Sequence, residues 1–286
     1  MSSRNPDSTL ESLANTIYRH GLSARKSLGQ HFLLDPNLCA KIARAAAPID
    51  QVTILEIGPG PGGLTRALLA AGARLVVAVE RDPRCVAALA ELARAWPERL
   101  EIIAADALKI TLDERLSGPV KIVANLPYNV GTALLIRWLG APERYVSLTL
   151  MFQKEVAARL TAAPGTKDYG RLSILAQWRC ETRPLFDVSA KAFTPPPKVT
   201  STVIQLIPRP APLFQADPAA LARVTAAAFG QRRKMMRAAM KELVADPEKF
   251  LIANGVDPRA RAETLKIESF CALARALPEF AAPHPK

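Results

Sequence analysis

The sequence predicts an α/β domain, a mostly parallel sheet with helices on both faces, followed by a small all-helical C-terminal domain. Three observations carry this reading. Short apolar runs alternate with segments of helical periodicity between residues 53 and 152. A glycine-rich turn closes the first of those runs. Beyond Ile207-Pro-Arg-Pro-Ala-Pro-Leu213 strand-formers become scarce and the pattern turns helical up to residue 286. Strands alternating with helices at this spacing form parallel sheets, because each crossover helix covers a sheet face.

Taken in order, residues 1–23 form a polar lead-in with one short amphipathic helix around Leu10 to Tyr18. Leu38, Ile42 and Ala46 recur at helical spacing between Pro36 and Ala47, with Lys41 and Arg44 on the other face. Thr53–Ile57, Leu75–Val79, Glu101–Ala105 and Lys121–Ala124 read as buried strands. Leu64–Ala71 and Arg84–Ala95 read as the helices between them. A fifth strand is expected at Ser147–Phe152, then a helix through Lys154–Leu160. Leu172–Trp178, Pro184–Val188 and Ser201–Ile207 read as closely spaced strands that end the sheet in antiparallel fashion. The proline-rich linker stops the last strand and places the domain boundary between residues 207 and 208, giving domains 24–207 and 208–286.

With 49% hydrophobic and 22% charged residues in 286, the composition excludes a disordered, collagen-like or low-complexity chain. Thirty-eight Lys and Arg against 26 Asp and Glu leave a formal charge of +12. That favours a polyanionic partner, nucleic acid or an anionic membrane surface, with a generally basic proteome as the plainer alternative. Cys39, Cys85, Cys180 and Cys271 form no CxxC pair, and with three histidines they give no zinc-ligand pattern and no disulfide framework. The first twenty residues hold no signal-type apolar core, and no uncharged apolar stretch approaches the roughly 18 residues of a membrane span. The expectation is a cytoplasmic protein, with no metal and no membrane contact.

Chemistry concentrates at the predicted strand ends. Ile54-Leu-Glu-Ile-Gly-Pro-Gly-Pro-Gly-Gly63 closes a strand and opens a helix, where open α/β sheets bind ligands. Gly58, Gly60 and Gly63 satisfy G-x-G-x-x-G, and Glu80 stands near the spacing of a ribose-binding acid, so a dinucleotide-dependent dehydrogenase is one reading. Against it, Glu56 lies two residues before the glycines, where an acid suits a cationic ligand better than a pyrophosphate. Asp106 ends the third predicted strand and Asn125-Leu-Pro-Tyr128 the fourth. The plainer reading makes Glu80 and Asp106 helix caps and the tetrapeptide a turn with a packing tyrosine.

Together these features resemble the Rossmann-like fold of S-adenosylmethionine-dependent methyltransferases. An adenine amine is a weak nucleophile because its lone pair is delocalised into the ring. An asparagine oxygen and a backbone carbonyl accepting its two N–H bonds favour a pyramidal, nucleophilic nitrogen. Pro127 stiffens such a loop and Tyr128 offers a ring for stacking.

The resemblance becomes specific over a series of motifs: Lys26-Ser-Leu-Gly-Gln-His-Phe-Leu-Leu-Asp35, Glu56-Ile-Gly-Pro-Gly60, Asn125-Leu-Pro-Tyr-Asn129, Gln153-Lys-Glu-Val156 and Tyr169-Gly-Arg-Leu-Ser173. Phe193-Thr-Pro-Pro-Pro-Lys-Val199, Phe229-Gly-Gln-Arg-Arg-Lys234 and Arg261-Ala-Glu-Thr-Leu265 continue it in order. The chain resembles the ribosomal RNA adenine N6,N6-dimethyltransferase family, and within it is most similar to the small-subunit (16S) branch.

That resemblance implies dimethylation of two adjacent adenosines near the 3′ end of small-subunit rRNA, within a 30S pre-ribosomal particle, by a monomer using S-adenosylmethionine. Gln30, His31 and Leu33 would cover the cofactor and Gly58 and Gly60 approach it. Glu80 would hold its ribose and Asp106 its adenine. Asn125, which would also border the cofactor, with Leu126, Pro127 and Tyr128, and with Phe193 closing an aromatic sandwich on the flipped base, would form the catalytic set. Arg232, Arg233, Lys234, Arg237 and Lys241 would contact RNA. Arg233, Arg237 and Lys241 fall at i, i+4 and i+8, so a helix would present them as one stripe, with a solvated helix face the plainer reading. Phe193 could equally be a core aromatic. Three positions depart from the family pattern: His31 and Ala238 where Asn is common, and Thr200 where Asp is usual. A large-subunit rRNA adenine methyltransferase and a non-catalytic 30S assembly factor remain alternative functions.

Overall fold

The computed structural model describes residues 11–24, 30–111, 116, 118–231 and 233–280. The chain divides into two compact units: residues up to Ala157 with Arg183–Pro208, and Ala158–Thr182 with Arg209 onward.

In the first unit α1 (Leu13–Arg19) precedes β1 (Phe32–Leu33) and α2 (Pro36–Ala45). Then come β2 (Thr53–Ile57), α3 (Gly63–Ala70), β3 (Leu75–Glu80), α4 (Pro83–Ala95), β4 (Leu100–Ala104), β5 (Val120–Asn125), α5 (Gly131–Leu139), β6 (Tyr145–Gln153) and α6 (Lys154–Thr161), whose residues from Ala158 belong to the second unit. After α7 (Arg171–Arg179), which lies in the second unit, β7 (Cys180–Val188), β8 (Phe193–Thr194) and β9 (Ser201–Pro208) complete the sheets. The main sheet has seven strands in the order β4-β3-β2-β5-β6-β9-β7. β2 to β6 pair in parallel and β9 joins β6 antiparallel, as the alternating pattern and its closely spaced ending predict.

The strands read as continuous apolar runs because both faces are covered: Thr53 to Ile57 are all buried, as are Val76 to Glu80. The helix starts have a local chemical cause. Asp35-Pro36 and Asp82-Pro83 open α2 and α4, and Asp217-Pro218 and Asp246-Pro247 open α8 (Pro218–Gly230) and α10 (Pro247–Ala253). In each pair the aspartate accepts an otherwise unbonded N–H, while proline has the φ of the first helical position.

The second unit adds α9 (Met236–Ala239) and α11 (Ile267–Phe280) to α7, α8 and α10, around a core that includes Tyr169, Trp178, Leu221, Phe250 and Phe270. Two expectations are corrected here. Leu172–Trp178, expected as a strand, lies within α7, where Ile174, Ala176 and Trp178 are all buried. A helix buried on more than one side mimics strand alternation, and Leu, Ala and Gln favour the helix. Trp178 Nε1 donates to the Phe214 carbonyl at 2.6 Å, and Gln177 donates to the carbonyls of Leu160 and Ala162. The basic stripe is not one helix either. Met235 is extended and bridges antiparallel to Arg261, and α9 spans only four residues, so Arg233 precedes it and Lys241 lies in a 3-10 turn after it. The four cysteines are buried thiols.

Candidate active site

In-register parallel pairing carries the ends of β2, β3, β4 and β5 to one edge of the sheet. Gly58 follows β2, Glu80 ends β3, Asp106 follows β4 and Asn125 ends β5. All four line one cleft, as do Gln30, His31, Leu33, Gly60, Leu126, Pro127 and Tyr128.

The glycine turn is shaped by backbone that other residues resist. Gly58 and Gly60 have φ of +66° and +57°, and a Cβ on Gly60 would lie 3.1 Å from the Phe32 ring. Gly60 N–H donates to Glu80 Oε2 at 3.0 Å, while the N–H groups of Arg81 and Asp82 donate to Oε1, each at 2.8 Å. Glu80 is only 5% exposed, and burial raises its pKa against these three bonds, which favour the carboxylate. The carboxyl is therefore held in one orientation by the loop it helps to shape. Asp82 in turn accepts from Gln30 Nε2 at 3.1 Å and from Arg84, whose bond holds its carboxyl down at about 2. Asp106 accepts from the Leu108 N–H at 3.0 Å, with Arg81 Nη1 at 3.7 Å from its other oxygen.

Glu56 is 1% exposed and accepts one bond, from Thr65 Oγ1 at 2.7 Å. Burial pushes its pKa up to about 8; Thr65 opposes the rise and the Glu80 charge adds to it. An acid in this state is a neutral wall at neutral pH, and a cationic group brought beside it would draw out the carboxylate.

At the β5 end the Asn125 carboxamide donates through Nδ2 to the His31 carbonyl at 3.3 Å, so Oδ1 is left as its acceptor. The Pro127 carbonyl accepts the N–H groups of Val130 and Gly131 and closes the turn into α5. Tyr128 is half-buried, and its hydroxyl lies 2.7 Å from Ser201 Oγ. Its ring centroid is 5.5 Å from that of His31 at 35° between planes. His31 Nδ1 lies 2.8 Å from the Pro195 carbonyl, so Nδ1 carries the proton and Nε2 is an acceptor in the neutral ring.

Phe193 is not brought into the cleft. Leu33 pairs with Phe193 across the β1–β8 ladder, and the ring is 3% exposed in the apolar cluster with Val123 and Val203. The expected aromatic sandwich is therefore not assembled in the cleft, whose ring-bearing lining residues are His31, Phe32 and Tyr128. In the second unit Arg233, Lys234, Arg237 and Lys241 are exposed, with Arg237 Nη1 3.0 Å from Glu248; Arg232 lies outside the described residues. Thr65, Asp82 and Ser201 escaped sequence reasoning. The Asp-Pro pair at 82–83 was a readable cap signal, whereas the bonds of Thr65 and Ser201 depend on side-chain direction. Among the described residues no group of three or more His, Cys, Asp or Glu could hold a metal, and no helix is long and apolar enough to cross a membrane.

Comparison with known proteins gives a consistent picture. The family described as Ribosomal RNA adenine dimethylase matches residues 21–279. A Rhodospirillum rubrum protein named Ribosomal RNA small subunit methyltransferase A is 60% identical over 95% of this chain and 94% of its own. A Jannaschia protein of the same name is 57% identical over 96% of each chain. Among solved structures, a dimethyladenosine transferase from Plasmodium falciparum superposes with a TM-score of 0.70 at 25% identity, covering 85% of this chain and 96% of its own. The 23S rRNA methyltransferase ErmE gives 0.63 at 28% identity over 86% and 99%.

Proposed function

Because the chain belongs to the ribosomal RNA adenine dimethylase family, we propose that it uses S-adenosylmethionine to dimethylate N6 of two adjacent adenosines near the 3′ end of small-subunit (16S) rRNA. The proposed setting is the cytoplasm, with the chain acting as a monomer on a 30S pre-ribosomal particle. The observation that carries this reading is the cleft at the strand edge, where Glu80, Asp106 and Asn125 stand around a glycine turn.

The residues present fit S-adenosylmethionine. Glu80 keeps acceptor capacity on Oε2 beyond the single Gly60 N–H, which suits ribose hydroxyls. Asp106 Oδ2 suits an exocyclic amine. Gly58 permits close backbone approach, Gln30, His31 and Leu33 supply covering contacts, and the acid of Glu56 suits a cationic amine better than a pyrophosphate. When bound, S-adenosylmethionine supplies an electrophilic methyl group on a sulfonium.

The chain's own residues would then prepare the acceptor. Asn125 Oδ1, left open because Nδ2 is committed to His31, accepts one N–H of the target amine. The Leu126 carbonyl accepts the other, since the neighbouring Pro127 carbonyl is engaged in its turn. In the first transfer both bonds favour the pyramidal nitrogen whose lone pair attacks, one N–H proton then leaving to solvent, and in the second the single remaining N–H is held by one of these acceptors before it too is lost. Tyr128 holds the extruded base by stacking, which offsets a few kcal/mol of unstacking. Methyl transfer to an aligned amine rests on positioning, so no metal and no strong base enters the proposal. Arg233, Lys234, Arg237 and Lys241 supply phosphate contacts.

Small-subunit rRNA is favoured over large-subunit rRNA because relatives at 57–60% identity carry the small-subunit name, against 28% for the 23S enzyme. The test incubates the purified chain, labelled S-adenosylmethionine and small subunits from a strain lacking the modification, and reads nucleosides by mass spectrometry. Dimethyladenosine at up to two adenosines per subunit is expected, and Asn125→Ala abolishes it while leaving cofactor affinity mostly intact. Subunit binding without methyl incorporation would support a non-catalytic assembly factor instead, and modification of large-subunit RNA alone would overturn the substrate.

A further inference from the structure

Stacking a flipped base on Tyr128 works only if the plane of the ring is set before the base arrives, because an unrestrained tyrosine in a cleft loses its freedom at the moment of binding. In this structure the ring is held at its far end. Its hydroxyl lies 2.7 Å from Ser201 Oγ, 73 residues away in sequence. Ser201 is fully buried and opens β9, in register with Gln153 on β6, so its hydroxyl stands on rigid sheet rather than on a loop. The backbone beside it is fixed as well, since the Thr200 carbonyl accepts the Lys154 N–H at 2.9 Å. A second brace comes through His31. Its Nδ1–H is tied to the Pro195 carbonyl in the same segment, its ring lies beside Tyr128, and its carbonyl orients Asn125.

We propose that Ser201 is a positioning residue for methyl transfer: its hydroxyl sets the Tyr128 ring as a pre-aligned platform for the acceptor adenine. The inference rests on the reaction proposed above. Burial raises the Tyr128 pKa, which keeps its hydroxyl protonated and the pairing intact through neutral pH. A buried serine needs some hydrogen-bond partner in any case. What distinguishes positioning from mere satisfaction is that the effect of losing Ser201 passes entirely through the Tyr128 hydroxyl.

A double-mutant cycle tests this. Wild type, Ser201→Ala, Tyr128→Phe and the double variant are compared in single-turnover methylation of unmodified small subunits, with calorimetric S-adenosylmethionine affinity and thermal midpoint measured on each. Loss of a hydrogen bond of ordinary strength corresponds to a rate loss of about tenfold. Each single variant is expected to slow transfer by that factor with cofactor affinity unchanged. The double variant is expected to be no slower than either single, because both remove the same bond. Undiminished transfer by Ser201→Ala overturns the assignment, as does a double variant slowed by the product of the two single effects. Ser201→Ala losing cofactor affinity or unfolding while Tyr128→Phe stays wild-type would make the serine purely structural and also overturn it. A wild-type chain that transfers no methyl group would overturn the proposed reaction and this assignment with it, whereas any variant result against an active wild type bears on Ser201 alone.

Discussion

Replacing Glu56 by glutamine removes a buried ionisable group while keeping its shape and leaving an oxygen to accept the Thr65 hydroxyl. In the unfolded chain the carboxyl titrates near its ordinary 4.5, whereas in the fold burial holds it at about 8. Between those two values the folded state keeps a proton that the unfolded state has released. Stability therefore falls as pH rises through this window. At about 1.4 kcal/mol per pH unit the whole span is worth about 5 kcal/mol, of which about 4 kcal/mol lies between pH 5 and pH 8. Glu80, raised by the same cause, contributes a slope of the same sign in both proteins, so the difference between them reports Glu56 together with its coupling to Glu80. Urea unfolding of wild type and Glu56→Gln, without cofactor, at half-unit steps from pH 4.5 to 8.5 measures it. The variant should gain on wild type by about 4 kcal/mol from pH 5 to pH 8. A difference that stays constant within about 1 kcal/mol, or that shrinks with pH, would refute the picture of a proton-holding acid under the glycine turn.

Two further outcomes follow from the same geometry. A methyl group on Gly63 would lie 2.5 Å from the Leu33 carbonyl oxygen, so Gly63→Ala must push β1 from α3. It should lower the unfolding free energy by about 3 kcal/mol, and an unchanged urea midpoint would count against that close approach. Glu80→Gln replaces one acceptor oxygen by a donor amide facing N–H groups of its own loop. Calorimetric affinity for S-adenosylmethionine should fall about 10- to 100-fold with the far-ultraviolet spectrum preserved, and wild-type affinity would remove Glu80 from the proposed ribose site.

Much of the architecture was legible in order along the chain. Thr53–Ile57 is a mostly apolar run bounded by turn residues, and it is β2 residue for residue. Leu75–Val79 and Lys121–Ala124 lie inside β3 and β5 for the same reason. Once these strands are parallel and in register, Gly58, Glu80, Asp106 and Asn125 must share one edge, because each ends its own strand or follows it by a residue or two. Local pattern plus one topological rule was enough to assemble the cleft.

What tertiary structure alone decided concerns direction and environment. Leu172–Trp178 alternates like a strand, yet it is a helix buried on several sides, because packing in the second unit overrides its apparent period. Arg233, Arg237 and Lys241 have helical spacing, but the bond from the Met236 N–H to the Ala260 carbonyl and the Met235–Arg261 bridge interrupt the helix. Phe193 turns inward because a two-residue ladder with β1 fixes which way its side chain points. The composition and motifs placed an acid at Glu56, but only enclosure makes that acid hold a proton near neutral pH, since desolvation depends on everything around it. The Tyr128–Ser201 contact joins residues 73 positions apart, and no local pattern encodes the distance between two side chains brought together by a sheet. Residue types and strand ends are properties of short segments and survive in sequence. Orientation, burial and protonation belong to the assembled neighbourhood, and they come into being only when the chain packs.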